Sequence, residues 1–80
     1  MPKLTKRAVK DLERLPLTMQ NKAKAIIRRL DDEPALGKKL LGQLQGKRSA
    51  RLGRSHRIIY TAQEGRVVVL TITTRRDAYK

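Results

Sequence analysis

Eighty residues suffice for one small domain with a single core, and they leave no room for a second lobe or a large enclosed cavity. Twenty lysines and arginines against seven acids give a formal net charge of +13, a field that repels itself and favours a polyanionic partner. With no cysteine in the chain, a disulfide framework and a thiolate metal site are both excluded.

The opening Met1-Pro2-Lys3-Leu4 lacks the apolar stretch of a signal peptide, and no run is long enough to span a bilayer, so the expected location is the cytoplasm. No segment joins a basic face to a broad apolar face able to insert in lipid, which puts nucleic acid ahead of a membrane as partner. An acidic protein partner is compatible with either. Tyr60 and Tyr79 are the only aromatic residues, too few for the stacking platforms of single-strand binders. Any RNA or DNA must therefore be held largely by phosphate contacts or positioned by something else.

Taken in order, Pro2 to Leu4 leaves space for a stub of strand. Thr5 to Leu15 then carries Ala8, Val9, Leu12 and Leu15 as a helical stripe, with Lys6, Arg7, Lys10 and Arg14 outside it, and Pro16 ends the segment. Thr18 is the expected N-cap of a second helix reaching about Asp32, whose Met19, Ala23, Ile26, Ile27 and Leu30 form a core stripe. The pair should make an antiparallel hairpin with its apolar faces against a sheet. Asp31, Asp32 and Glu33 are consecutive at a helix end and cannot converge on one ion, so they read as a solvated terminus and no metal site is expected. Gly37, Gly42 and Gly46 punctuate a linker whose spacing matches neither a phosphate loop nor a dinucleotide fingerprint, and no cofactor is expected.

From Lys47 the pattern turns to β: Lys47 to Leu52, a loop Gly53-Arg54-Ser55-His56, Arg57 to Ala62, a turn containing Gly65, and Arg66 to Thr73. Val67 to Ile72 is the most apolar run, which places that strand centrally. Alternation puts Ile58, Tyr60 and Ala62 on one face and Arg57, Ile59 and Thr61 on the other. If Ala50 and Leu52 point into the core, Lys47, Ser49 and Arg51 point outward, so two strands present Arg51 and Arg57 to the same side. The fold class is α+β, a single domain over residues 1–80, with an N-terminal helical hairpin on one face of a twisted, mainly antiparallel sheet.

The runs Arg51-Leu52-Gly53, His56-Arg57-Ile58-Ile59-Tyr60, Val68-Val69-Leu70-Thr71-Ile72 and Arg75-Arg76-Asp77-Ala78-Tyr79, with the linker Leu41-Gly42-Gln43-Leu44-Gln45-Gly46, resemble the RelE branch of the RelE/ParE superfamily of bacterial and archaeal toxins. The resemblance covers nearly the whole chain, with the opening strand reduced to a stub. It implies an mRNA interferase: a toxin that enters the ribosomal A site, cuts the mRNA there and is held inactive by a cognate antitoxin protein. Carried over by position, the catalytic set is Arg57, Arg75 or Arg76 (both retained), Tyr79 and Arg51. Lys47, Arg48, Arg54, His56 and Lys80 are the implied contacts to mRNA and ribosome, and His56 stands where many members have an aromatic residue.

Metal-free RNA cleavage requires a base for the ribose 2′-OH, charge stabilisation for the phosphorane and a proton for the departing 5′-oxygen. A phenol is a poor base at neutral pH, but neighbouring guanidinium groups favour its phenolate. In the implied site the arginines serve twice, acting on Tyr79 and on the scissile phosphate, and the product is a 2′,3′-cyclic phosphate. Tyr60 belongs to the core by parity, and His56 reads as a loop histidine with a minor claim to acid–base work. Two other readings compete: a ParE-like toxin that poisons DNA gyrase without nuclease chemistry, and a non-catalytic basic nucleic-acid-binding module.

Overall fold

The computed structural model describes residues 2–40 and 46–76. These form strand β1 (Lys3–Leu4), helices α1 (Lys6–Arg14) and α2 (Leu17–Asp32), and strands β2 (Lys38–Lys39), β3 (Arg48–Leu52), β4 (His56–Gln63) and β5 (Arg66–Thr74). The strands make one sheet in the order β1-β5-β4-β3-β2, with the β1–β5 pair parallel and the others antiparallel.

The stub β1 pairs Lys3 with Val68 and Leu4 with Val69. Thr5 then ends the strand and starts the helix. Its N–H donates to the Val69 carbonyl at 3.0 Å, its hydroxyl donates to the Leu70 carbonyl at 2.6 Å, and the same oxygen accepts from the Ala8 N–H at 3.1 Å as the α1 cap. Past Leu4, Asp11 takes over the tie between α1 and β5. Its Oδ2 accepts from the Ile72 N–H at 3.1 Å and from the Thr71 hydroxyl at 2.6 Å.

Thr18 is not the cap of α2. Pro16, with φ −55°, flanks the helix directly and its carbonyl accepts the Gln20 N–H at 2.9 Å, so Leu17 is already helical. The Gln20 side chain reaches back and donates to the carbonyls of Leu15 at 2.8 Å and Glu13 at 3.3 Å, satisfying the end of α1.

Ala8, Leu15, Ala23, Ile27 and Leu30 from the helices pack on Ala50, Leu52, Ile58, Tyr60, Val67, Val69 and Ile72 from the sheet. Burying Ile27 or Leu30 contributes roughly 1.5–3 kcal/mol each, against about 0.3–0.5 kcal/mol for the exposed i,i+4 pair Arg29–Glu33. Packing therefore holds α2 on the sheet. Val9 departs from the expected stripe and stays 41% exposed, because the α1 stripe is narrow and Ala8 and Leu12 already fill it.

The sheet departs from the sequence-based picture in two places. The central strand is β4, with Arg57, Ile58, Ile59 and Tyr60 buried in succession, while β5 lies one position out, flanked by β1. The connector also contains a strand, β2, which pairs Lys38 with Ser49 and Lys39 with Arg48. Two lysines give no apolar alternation to announce it. Residues 41–45 of that linker lie outside the described residues.

In β5 the register slips: Ile59 faces Thr71, but Tyr60 faces Val69, so Leu70 is an extra residue. Val69 and Ile72, of opposite parity, can then both enter the main core, while Leu70 packs with Leu40 and Ile59 in a small second cluster on the far face. The β4–β5 turn has positive φ at both Glu64 (52°) and Gly65 (77°), the two-residue form whose twist suits a hairpin.

A cationic row across the sheet

Arg57 leaves β4 on the face away from the helices. Its cross-strand partners are Arg51 on β3 and Thr73 on β5, so the three side chains stand in one row across the sheet. Arg57 is only 9% exposed and its Nη1 donates to the Ser49 hydroxyl at 3.3 Å, while Arg51 is exposed. The buried hydroxyl thus orients a nearly buried guanidinium beside an exposed one. Next along this face, by register, comes Arg75: its N–H donates to the Ser55 carbonyl at 2.7 Å, which extends the β4–β5 ladder by one step beyond His56–Thr74. Alternation continued from Thr73 through this bond puts Arg75 on the Arg57 side, whereas Arg76 lies beyond the ladder, in the turn that follows β5.

The remaining candidates divide. His56 pairs with Leu52 and Thr74 and lies with Asp11, Arg14 and Leu15 on the helix side, its Nδ1 at 2.7 Å from the Ser55 hydroxyl. It is separated from the arginine row by the thickness of the sheet, because it shares parity with Ile58 and Tyr60. Arg48 is likewise opposite Tyr60 and spends Nη1 on the Gly37 carbonyl at 2.8 Å, a structural bond. Lys47 is half-buried and borders a separate cleft with Lys39, Leu40 and Gly46, and Arg54 is exposed in the β3–β4 turn. Tyr79 and Lys80 lie outside the described residues.

Tyr60 is fully buried, and its hydroxyl ties down the chain between α2 and β2. It donates to the Pro34 carbonyl at 2.8 Å and accepts from the Gly37 N–H at 2.8 Å. Gly37 allows the approach: a Cβ there would meet the Ser49 carbonyl oxygen at 2.7 Å and the Tyr60 ring at 2.9 Å. This packing holds β2 against β3 beside the row. A cleft of about 520 Å³ results, lined by Arg29, Lys38, Arg51 and Arg57 around Ile26, Leu36 and Ser49. Sequence reasoning passed over Arg29, Lys38 and Ser49. For Ser49 the signal was present in its parity with Arg51, and for the other two it was not, since neither the β2 pairing that places Lys38 nor the packing of α2 that places Arg29 is visible in the sequence.

Among the described residues no group of His, Asp or Glu is arranged to hold a metal ion, and no described helix is long and apolar enough to cross a membrane. The row offers donors and positive charge on a rigid sheet. Such an arrangement can neutralise a phosphodiester, and arginine's planar fork suits that geometry.

Fold and row together define a small basic α+β domain with a cationic sheet face, and comparison with known proteins places it in a family. The model of the ParE toxin of type II toxin–antitoxin systems matches residues 3–79, and the chain belongs to this family within the RelE/ParE superfamily. Among solved structures it is similar to the RelBE2 toxin–antitoxin complex of Mycobacterium tuberculosis, with 30% identity over 94% of this chain and 96% of that one and a TM-score of 0.77. It is also similar to the YoeB/ParE toxin of Agrobacterium tumefaciens, with 27% identity, 94% and 99% coverage and a TM-score of 0.79. The isolated RelE toxin of E. coli shares the fold at 19% identity, 92% and 82% coverage and a TM-score of 0.77. Compared with curated protein sequences, the chain finds no significant match.

Proposed function

We propose that this toxin is a ribosome-dependent endoribonuclease that cuts mRNA in the A site without a metal and so stops translation in the cytoplasm. The observation that carries this reading is the alignment of Arg51 and Arg57 in one cross-strand row, with Ser49 holding Arg57 and Arg75 one step further on the same side. In the reaction, Tyr79 as phenolate takes the proton of the ribose 2′-OH, and the 2′-oxygen attacks phosphorus. The arginine row stabilises the phosphorane, and the 5′-oxygen leaves with a proton to give a 2′,3′-cyclic phosphate and a 5′-hydroxyl end. A site with so few aromatic platforms is weak on free RNA, and the ribosome supplies the alignment of 2′-oxygen, phosphorus and leaving group. The partner that silences it is an antitoxin bringing acidic side chains to the basic face. The RelBE2 and YoeB–YefM structures are themselves toxin–antitoxin complexes.

A second reading has its own support: the matching family model is that of ParE toxins, and a gyrase poison would need the basic face without the nuclease chemistry. One experiment separates the two. Purified protein is added to programmed ribosomes and mRNA ends are mapped, with a gyrase supercoiling assay alongside. The nuclease reading expects A-site cleavage that rises with pH, and a loss on the order of 10²-fold or more for Tyr79→Phe with ribosome binding retained. Intact mRNA together with inhibited supercoiling establishes the gyrase reading instead.

A further inference from the structure

The cleft beside the arginine row carries cations from four elements: Arg29 on α2, Lys38 on β2, Arg51 on β3 and Arg57 on β4. Lys38 pairs with Ser49 across β2–β3, so it shares the face of Ser49 and Arg57. By the register it lies two strands across from Arg57 and two residues along, roughly 12 Å between backbones by ordinary sheet spacing, so the two side chains can reach different phosphates of one strand. The lysine is also held in place. The Gly37 N–H bond to Tyr60, the Arg48 bond to the Gly37 carbonyl and the missing Cβ at Gly37 fix the backbone immediately before it. Arg29 lines the same cleft and is steered by Glu33 at 3.3 Å, with both side chains still more than half exposed.

We propose that this cleft is a second phosphate subsite, in which Lys38 and Arg29 hold the backbone phosphate of single-stranded RNA adjoining the one at Arg57. The inference rests on the ribonuclease reading for the identity of the chain bound. RNA is favoured over an acidic peptide because the cleft continues the row that receives the scissile phosphate, so a strand held at Arg57 runs into it. In addition, Ser49 is the one uncharged polar side chain among the described residues on its walls, and its hydroxyl already accepts from Arg57. Among the described residues no aromatic side chain lines the cleft, so the contacts it offers are to phosphate and not to bases.

The test uses the whole protein and a labelled single-stranded RNA with 2′-O-methyl sugars, which cannot be cleaved, and follows binding against salt. Lys38→Gln and Arg29→Gln should each weaken binding and lower the slope of log K against log salt by about 0.7, the value for one phosphate contact on a single strand. Lys10→Gln, on α1, removes the same charge elsewhere and should change the slope by much less. Glu33→Gln should tighten binding by freeing Arg29. Gly37→Ala keeps every charge but forces β2 away from Ser49, so it should weaken binding as Lys38→Gln does. Slopes for Lys38→Gln and Arg29→Gln equal to that of Lys10→Gln overturn the proposal. So does an oligoglutamate of the same charge that binds more tightly than the RNA and loses more on Lys38→Gln, which would assign the cleft to an acidic protein. On programmed ribosomes the two substitutions should raise KM and leave kcat nearly unchanged. Failure of the parent to cleave refutes the ribonuclease reading, while the oligonucleotide slopes still decide the subsite.

Discussion

Arg51 and Arg57 stand directly opposite each other on β3 and β4, two like charges on one face of the sheet. Such a pair is destabilising, by about 0.2–1 kcal/mol in ordinary sheets, and folding alone gives no reason for it. A bound phosphate reverses the sign of the interaction.

Arg51→Gln should therefore stabilise the free protein by about 0.2–1 kcal/mol in chemical denaturation while reducing cleavage. Arg57→Gln relieves the same repulsion but abandons the buried Ser49 hydroxyl, so it should destabilise. If Arg51→Gln is as destabilising as Arg57→Gln, the row is a structural element and not a charge store held for a ligand.

Tyr60→Phe should cost about 1–3 kcal/mol, since it leaves the Pro34 carbonyl and the Gly37 N–H without their shared partner. For a chain of this size that is a fall in melting temperature of roughly 4 °C or more. Differential scanning calorimetry of Tyr60→Phe beside Tyr79→Phe would separate the two tyrosines, the first losing stability and the second activity.

Asp11→Ala removes the one acceptor for both the Thr71 hydroxyl and the Ile72 N–H, and a loss of about 1–3 kcal/mol is expected. Asp11→Asn keeps a carbonyl oxygen in reach and should lose less. Amide hydrogen exchange at Ile72 gives the local reading: protection should collapse in the alanine variant, and unchanged protection would mean that β1 and α1 hold the β5 edge without Asp11.

Binding to ribosomes or free RNA should weaken steeply between low and physiological salt, because +13 with only two aromatic residues leaves phosphate contacts as the main attraction. Titration at several salt concentrations measures it, and a flat dependence would refute a phosphate-dominated interface.

Much of the fold was legible because the core stripes are periodic. Ala23, Ile27 and Leu30 announced α2, and the Ile58–Tyr60 alternation fixed which side of β4 meets the helices. That same alternation put Arg51 and Arg57 on one side of the sheet, while their standing directly opposite each other follows from the β3–β4 register. What stayed hidden had no local code. Lys38-Lys39 becomes a strand only because β3 is beside it, and Arg29 joins the cleft only through the packing of α2. His56, expected in the loop before β4, is instead the first residue of that strand, where adjacency to Arg57 means opposite faces.

The extra residue at Leu70 has a further effect, downstream of the core it serves. It inverts the phase of everything that follows in β5, so a chain that would have sent Arg75 out among the helices sends it out beside Arg57. Composition and charge are indifferent to this choice. Were β5 regular, with Leu70 itself opposite Ile59, every cation and the hairpin turn would remain, yet Thr73 would leave the Arg57 face and Arg75 would follow it to the helix side, dismantling the row by a frameshift in space.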